Sequence, residues 1–77
     1  MRLSKKEEGN KLIPENLKIS LAAARVNAGL SQAEVADKLH VSNRTVISWE
    51  KYKTSPSVTQ ADALYNLFGR PKDSIKF

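Results

Sequence analysis

Asn43, Arg44, Ile47 and Ser48 carry side chains that suit the edges of DNA bases, and they stand close together in the chain. Arg44 offers a planar fork that can donate two hydrogen bonds to guanine O6 and N7. Asn43 can pair in the same two-point way with adenine N6 and N7. Ile47 can meet a thymine methyl, and Ser42 and Ser48 add shorter, less selective hydroxyls. The major groove of duplex DNA admits an α-helix and displays those base edges, so the set is useful if a helix carries it. Around it lie Gln32, Thr45, Lys51, Tyr52 and Lys53, whose polar groups suit phosphate oxygens. Phosphate contacts place a protein on a duplex without reading its sequence. Plainer readings stand beside these: Asn43 making capping bonds at a helix start, Arg44 as a solvated charge or phosphate contact, Lys51 and Lys53 as an ordinary polar loop.

The elements that would position these residues follow from local spacing. Ser31 with Glu34 forms an S-x-x-E capping box and predicts a helix over Gln32–Leu39. Ser42 is a good N-cap for a second helix, over about Asn43–Lys51. His40 and Val41 are left as the turn. Val35, Ala36 and Leu39 share one helical face, and Val46 and Trp49 share another, because positions three and four apart are neighbours on a helix. Ala36 is small enough to let the second helix cross closely. Neither helix is long enough to be stable alone, so both must pack.

The rest of the chain reads as scaffold. Residues 1–15 are mostly polar and of mixed charge, with Gly9 and Pro14, and predict a flexible arm. That arm is either an inert tail or, through Arg2, Lys5 and Lys6, a groove-tracking segment. Leu12 and Ile13 offer a way for it to fold back on the core. The domain is then expected over 16–77. Asn16–Ala28 predicts a first helix, with Leu17, Leu21, Ala24 and Ala28 as its apolar stripe and Gly29 ending it. Ser57 with Gln60 is a second capping box, opening a helix to about Phe68 whose apolar face is Val58, Ala61, Leu64, Tyr65 and Phe68, with Gly69 as its stop. Pro71 suits the first turn of a short fifth helix. Ile75 and Phe77 are expected to close the core. No strand pattern, internal repeat or low-complexity segment is visible.

At this point the sequence resembles a known family. Arg25, Gly29-Leu30-Ser31-Gln32-Ala33-Glu34-Val35-Ala36, Leu39, Val41-Ser42, Thr45-Val46, Ser48-Trp49-Glu50 and Pro56 match the Cro and lambda-repressor type of helix-turn-helix protein, a group of phage and bacterial regulators. The likeness covers about Leu17 to Phe77. It implies an all-α bundle of four or five short helices with the helix-turn-helix unit over 32–51. It also implies Gln32 as a phosphate contact and a salt bridge between Arg25 and Glu50. His40 departs from the pattern, since the family most often has glycine there in a left-handed backbone, as does Arg70-Pro71-Lys72 where an apolar residue and a small cap are usual.

Composition bounds the remaining possibilities. The 77 residues allow one domain with a small core, and the absence of cysteine excludes a disulfide framework or thiolate metal site. His40 is the single histidine, so no histidine metal cluster is expected, and no cofactor is implied. Glu34 is explained by capping and Trp49 by its inward position, so no catalytic set and no stacking platform is expected. No apolar run approaches a membrane span and no signal pattern opens the chain, so a cytoplasmic, nucleoid-associated protein is expected. Thirteen basic against eight acidic residues give a net charge of +5, which fits a polyanion partner or simple solubility. The expectation is a sequence-specific duplex-DNA binder, a transcription regulator of the repressor type, inserting helix 43–51 into the major groove as a weak homodimer strengthened on DNA. The alternative is an antitoxin-like module that binds a protein partner, with DNA binding secondary. A single-strand or RNA binder is a further alternative.

Overall fold

The computed structural model describes residues 17–77. The expected arm over 1–15, its basic residues, the fold-back of Leu12 and Ile13, and Asn16 lie outside the described residues. Within them the chain forms four helices: α1 (Leu21–Asn27), α2 (Gln32–Leu39), α3 (Asn43–Glu50) and α4 (Val58–Phe68). Two short strands, β1 (Ile19–Ser20) and β2 (Ile75–Lys76), lie parallel with Ile19 opposite Ile75 and Ser20 opposite Lys76.

Each helix begins on a serine in extended backbone whose hydroxyl accepts an amide hydrogen from the first turn. Ser20, Ser31, Ser42 and Ser57 receive bonds from the amides of Ala23, Glu34, Thr45 and Gln60. Those amides have no partner within their own helix, so the serines supply what the first turn lacks. Ser31 and Ser57 are reciprocated by Glu34 and Gln60, whose side chains accept from the serine amides at 2.7 and 2.9 Å.

The helix ends share a second device. Gly29, His40, Tyr52 and Gly69, each just past its helix, have φ of 74°, 59°, 60° and 66°. In each case the following amide reaches back to a carbonyl five residues earlier: Leu30 to Arg25, Val41 to Ala36, Lys53 to Ser48, and Arg70 to Tyr65. These closures satisfy carbonyls that the last turn would leave open. Two of the four positions are not glycine, and a side chain in the left-handed region costs roughly 1–2 kcal/mol. His40 sits in the turn between α2 and α3 and holds the left-handed conformation without glycine.

One core joins the elements. Leu21 and Ala24 of α1, Val35 and Ala36 of α2, Val46 and Trp49 of α3, Leu64 and Tyr65 of α4, and Ile75 of β2 are all buried. Each helix contributes two adjacent or near-adjacent inward positions. Leu39, Val41, Ala61 and Phe68 pack against this cluster from partly buried sites. Phe77 meets Tyr65 edge to face, with ring centroids 5.7 Å apart.

Three expectations need correction. The first helix starts at Leu21, because Ser20 turns extended to cap it and the Ile19 amide donates to the Ser74 carbonyl at 3.1 Å. Leu17 is therefore outside the helix and 61 % exposed, and Ala28 is exposed as well. The fifth helix is replaced by a turn and β2. The Ser74 hydroxyl donates to the Pro71 carbonyl at 2.6 Å and accepts from Arg70 Nε at 3.2 Å, while Asp73 has φ 69°. That geometry bends the chain out of a helical path and sends it back alongside β1. Finally, Val58 is 78 % exposed, since the first position of α4 projects beyond the core that Leu64 and Tyr65 reach.

Two outcomes follow. Replacing His40 with glycine removes a strained side chain at the cost of a more flexible unfolded chain, with an expected net gain of about 0.5–1 kcal/mol. The check is a thermal melt, where a rise of a few degrees is expected and an unchanged or lower Tm contradicts strain at this turn. Glu34 is held below the ordinary glutamate value of 4.5, first by the Ser31 amide and then by the Ser31 hydroxyl. Because the folded value is the lower one, its contribution is present above the unfolded value and is lost as pH falls through the folded one. The Tm advantage of wild type over Glu34→Gln should shrink between about pH 7 and about pH 3; an advantage that grows toward acid contradicts this.

Candidate nucleic-acid interface

α3 has two unlike faces. Val46 and Trp49 point inward, at 0 % and 3 % exposure, against the core. The opposite face, with the loop that follows, forms an open groove of about 550 Å³ lined by Asn43, Arg44, Ile47, Ser48, Lys51 and Lys53. The helical repeat explains the grouping: positions 43, 47 and 51 run down one line, and 44 and 48 down its neighbour. Three of the six lining residues are cations and none is an acid.

The expected site residues divide clearly. Asn43, Arg44, Ile47 and Ser48 come together in the groove, joined by Lys51 and Lys53 from the phosphate set. Ser42 does not line it. Its hydroxyl caps α3, accepting from the Thr45 amide at 3.1 Å and lying 2.9 Å from Thr45 Oγ1. Thr45 is thereby tied to the cap as well. Tyr52 is half exposed beyond α3, and its hydroxyl donates to the Lys76 carbonyl at 3.4 Å, linking the loop to β2. Trp49 is buried, so it offers no ring face on which an unpaired base could stack.

Behind the groove lies a polar cluster that holds α3 in place. Arg25 Nε donates to Glu50 Oε2 at 2.6 Å, and Arg25 Nη2 reaches Oε1 at 3.4 Å. The two side chains are only 16 % and 8 % exposed. Arg25 Nη1 donates to the Leu30 carbonyl at 2.9 Å, so one guanidinium ties the end of α1 to the entry of α2 and the end of α3. Gln32 Nε2 adds a third donor to Glu50, at 2.9 Å from Oε1. Sequence reasoning did not anticipate the Leu30 carbonyl or the Gln32–Glu50 bond. Both join residues through the packing of elements, and no local spacing reports them.

A helix-turn-helix family model matches residues 21–75. The chain belongs to the Cro and lambda-repressor type helix-turn-helix family. That stretch runs from the start of α1 to β2, so the match includes all four helices and both halves of the polar cluster. Comparison with curated proteins and with solved structures gives no match. The family is one of DNA-binding regulatory domains, and double-stranded DNA is the ligand class that membership brings. Among the described residues no helix is long and apolar enough to cross a membrane, and no group of candidate metal ligands occurs.

Removing Arg25 leaves the Glu50 carboxylate buried with Gln32 as its remaining donor. Breaking a buried pair from one side costs about 3–5 kcal/mol, because the charge left behind is uncompensated. Arg25→Met is expected to lose roughly 3 kcal/mol, the low end of that range, since a rim of the pair meets solvent. Arg25→Met with Glu50→Gln should recover part of the loss. Urea unfolding measures both, and an Arg25→Met midpoint equal to wild type would show that the pair does not stabilise the fold.

Proposed function

We propose that this domain reads duplex DNA by inserting α3 into the major groove, as a transcription regulator of the repressor type. The observation that carries the reading is the groove face of α3, where Asn43, Arg44, Ile47 and Ser48 share one open surface with Lys51 and Lys53. Base-reading groups and cations stand on the same side of a helix whose other side is locked into the core. Arg44 and Asn43 lie in the first turn of α3, the end that enters a groove in helix-turn-helix proteins. Arg44 takes guanine and Asn43 adenine, each in a two-point bond. Ile47 meets a thymine methyl and Ser48 adds a single hydroxyl contact. Ser42 borders the entry, with its hydroxyl shared with the cap.

Lys51 and Lys53 grip phosphate at the far end of the helix, with Tyr52 between them and Thr45 near the start. Gln32 belongs to the same end of α2 that faces the duplex in this arrangement. The protein binds as a weak dimer strengthened on DNA, on half-sites about one helical turn apart. Val58, 78 % exposed, stands at the end of the loop before α4 and supports that loop as part of the dimer surface.

Selection from a random duplex library, at one stated salt concentration and with wild type and Arg44→Ala in parallel, tests the reading. Wild type should enrich an inverted repeat. Arg44→Ala should relax one position in each half-site, by about 1–3 kcal/mol of discrimination. Salt-steep binding without enrichment, equal for both proteins, would reduce the interaction to phosphate attraction and sink the specific-regulator reading.

A further inference from the structure

α2 and α3 are joined at one end by the turn at His40 and Val41, where the Val41 amide closes on the Ala36 carbonyl at 2.9 Å. The apolar contact of Val35 and Ala36 with Val46 and Trp49 joins the two helices along their inner faces. The turn and that contact place no directional bond between the two helix ends that lie away from the turn. Gln32 is the first residue of α2 and Glu50 the last of α3, so both stand at the ends away from the turn. Their side chains meet at 2.9 Å, with Gln32 Nε2 donating to Glu50 Oε1. The pair of helices is therefore tied at both ends.

The acceptor is itself fixed. Glu50 Oε2 takes Arg25 Nε at 2.6 Å, and Arg25 is anchored in turn on the Leu30 carbonyl at 2.9 Å. The carboxylate cannot follow a movement of α3 without giving up these bonds. Hydrogen bonds to an ionised acceptor are directional and stronger than neutral ones. We propose that Gln32 is a positioning residue for α3: it acts through Glu50 to set the angle at which Asn43, Arg44, Ile47 and Ser48 are presented. This rests on the groove reading of α3 and adds to it a residue that supports base discrimination. Sites of recognition need their reading groups held to within a fraction of an ångström, which is what a second tie supplies.

A phosphate contact and a positioning residue differ in what they change. Losing a phosphate contact weakens all duplexes alike and lowers the salt slope. Losing the tie leaves general attraction intact and blurs the distinction between sequences. The first arm of the test uses Gln32→Ala with a duplex enriched by wild type and a scrambled one of equal length. The expected result is a fall of about tenfold in the affinity ratio of the two duplexes, over and above any weakening that both share from a lost phosphate contact. Weakening of both duplexes with the ratio unchanged makes Gln32 a phosphate contact alone and overturns the proposal.

The second arm needs no DNA. Gln32→Glu sets two carboxylates against each other and removes the donor, whereas Gln32→Glu with Glu50→Gln restores one donor, one carboxylate and the same net charge. Because Glu50→Gln also removes the ion pair with Arg25, the double variant is compared with Glu50→Gln alone. Tm should fall when Gln32→Glu is made in wild type and fall less than half as far when it is made in the Glu50→Gln background. An equal fall in both backgrounds means the side chains are not coupled, and the proposal fails. Should wild type not distinguish any duplexes, the groove reading falls and takes the role of Gln32 in discrimination with it, while the difference between the two backgrounds reports the helix tie alone.

Discussion

None of the three helices around the groove exceeds eight residues, and helices of that length do not persist alone in water. Their existence depends on the core they share. Val35, Ala36, Val46, Trp49 and Leu64 are each buried to within a few per cent, and they come from three different helices. Ala36 matters by what it lacks, since a larger side chain there would hold α3 away from α2. The caps then decide where each helix starts and stops, and the core decides that it forms at all.

With so small a core, polar groups set the geometry that apolar packing leaves loose. Arg25 and Glu50 are the clearest case. Their pair is mostly out of water, and it links α1 to α3 while also holding the entry to α2. An ion pair of this kind is weak evidence for stability but fixes direction well. The division of α3 follows from the same economy of parts. Eight residues supply two inward anchors, an open outward face and the carboxylate on which the neighbouring helices converge.

What was legible in the sequence was whatever is local. The two capping boxes lie within single turns, and the inward pairs Val35–Ala36 and Val46–Trp49 follow from helical spacing, so these elements could be read directly. The groove residues Asn43, Arg44, Ile47 and Ser48 were legible as a set for the same reason. The strand pair was not, because two residues give no alternation to detect and their partners lie at the other end of the domain. Val58 has the right residue type and spacing for a buried face, but it stands one turn before the core begins. Gln32 and Glu50 are eighteen positions apart, so only the crossing of α2 over α3 brings them together.

The pairing of β1 with β2 has a kinetic side. The contacts of α2 with α3 span short loops, whereas Ile19 and Ile75 meet only after almost all of the described chain has been ordered between them. Closing a longer loop costs more chain entropy and is repaid late, so local helical contacts form ahead of it. The helix-turn-helix unit is thus closed by short loops and the strand pair by the longest one. Ile75 makes that long closure part of the core, since it is buried among the residues that all four helices supply, so the two ends of the domain are held by the same apolar cluster that holds α3.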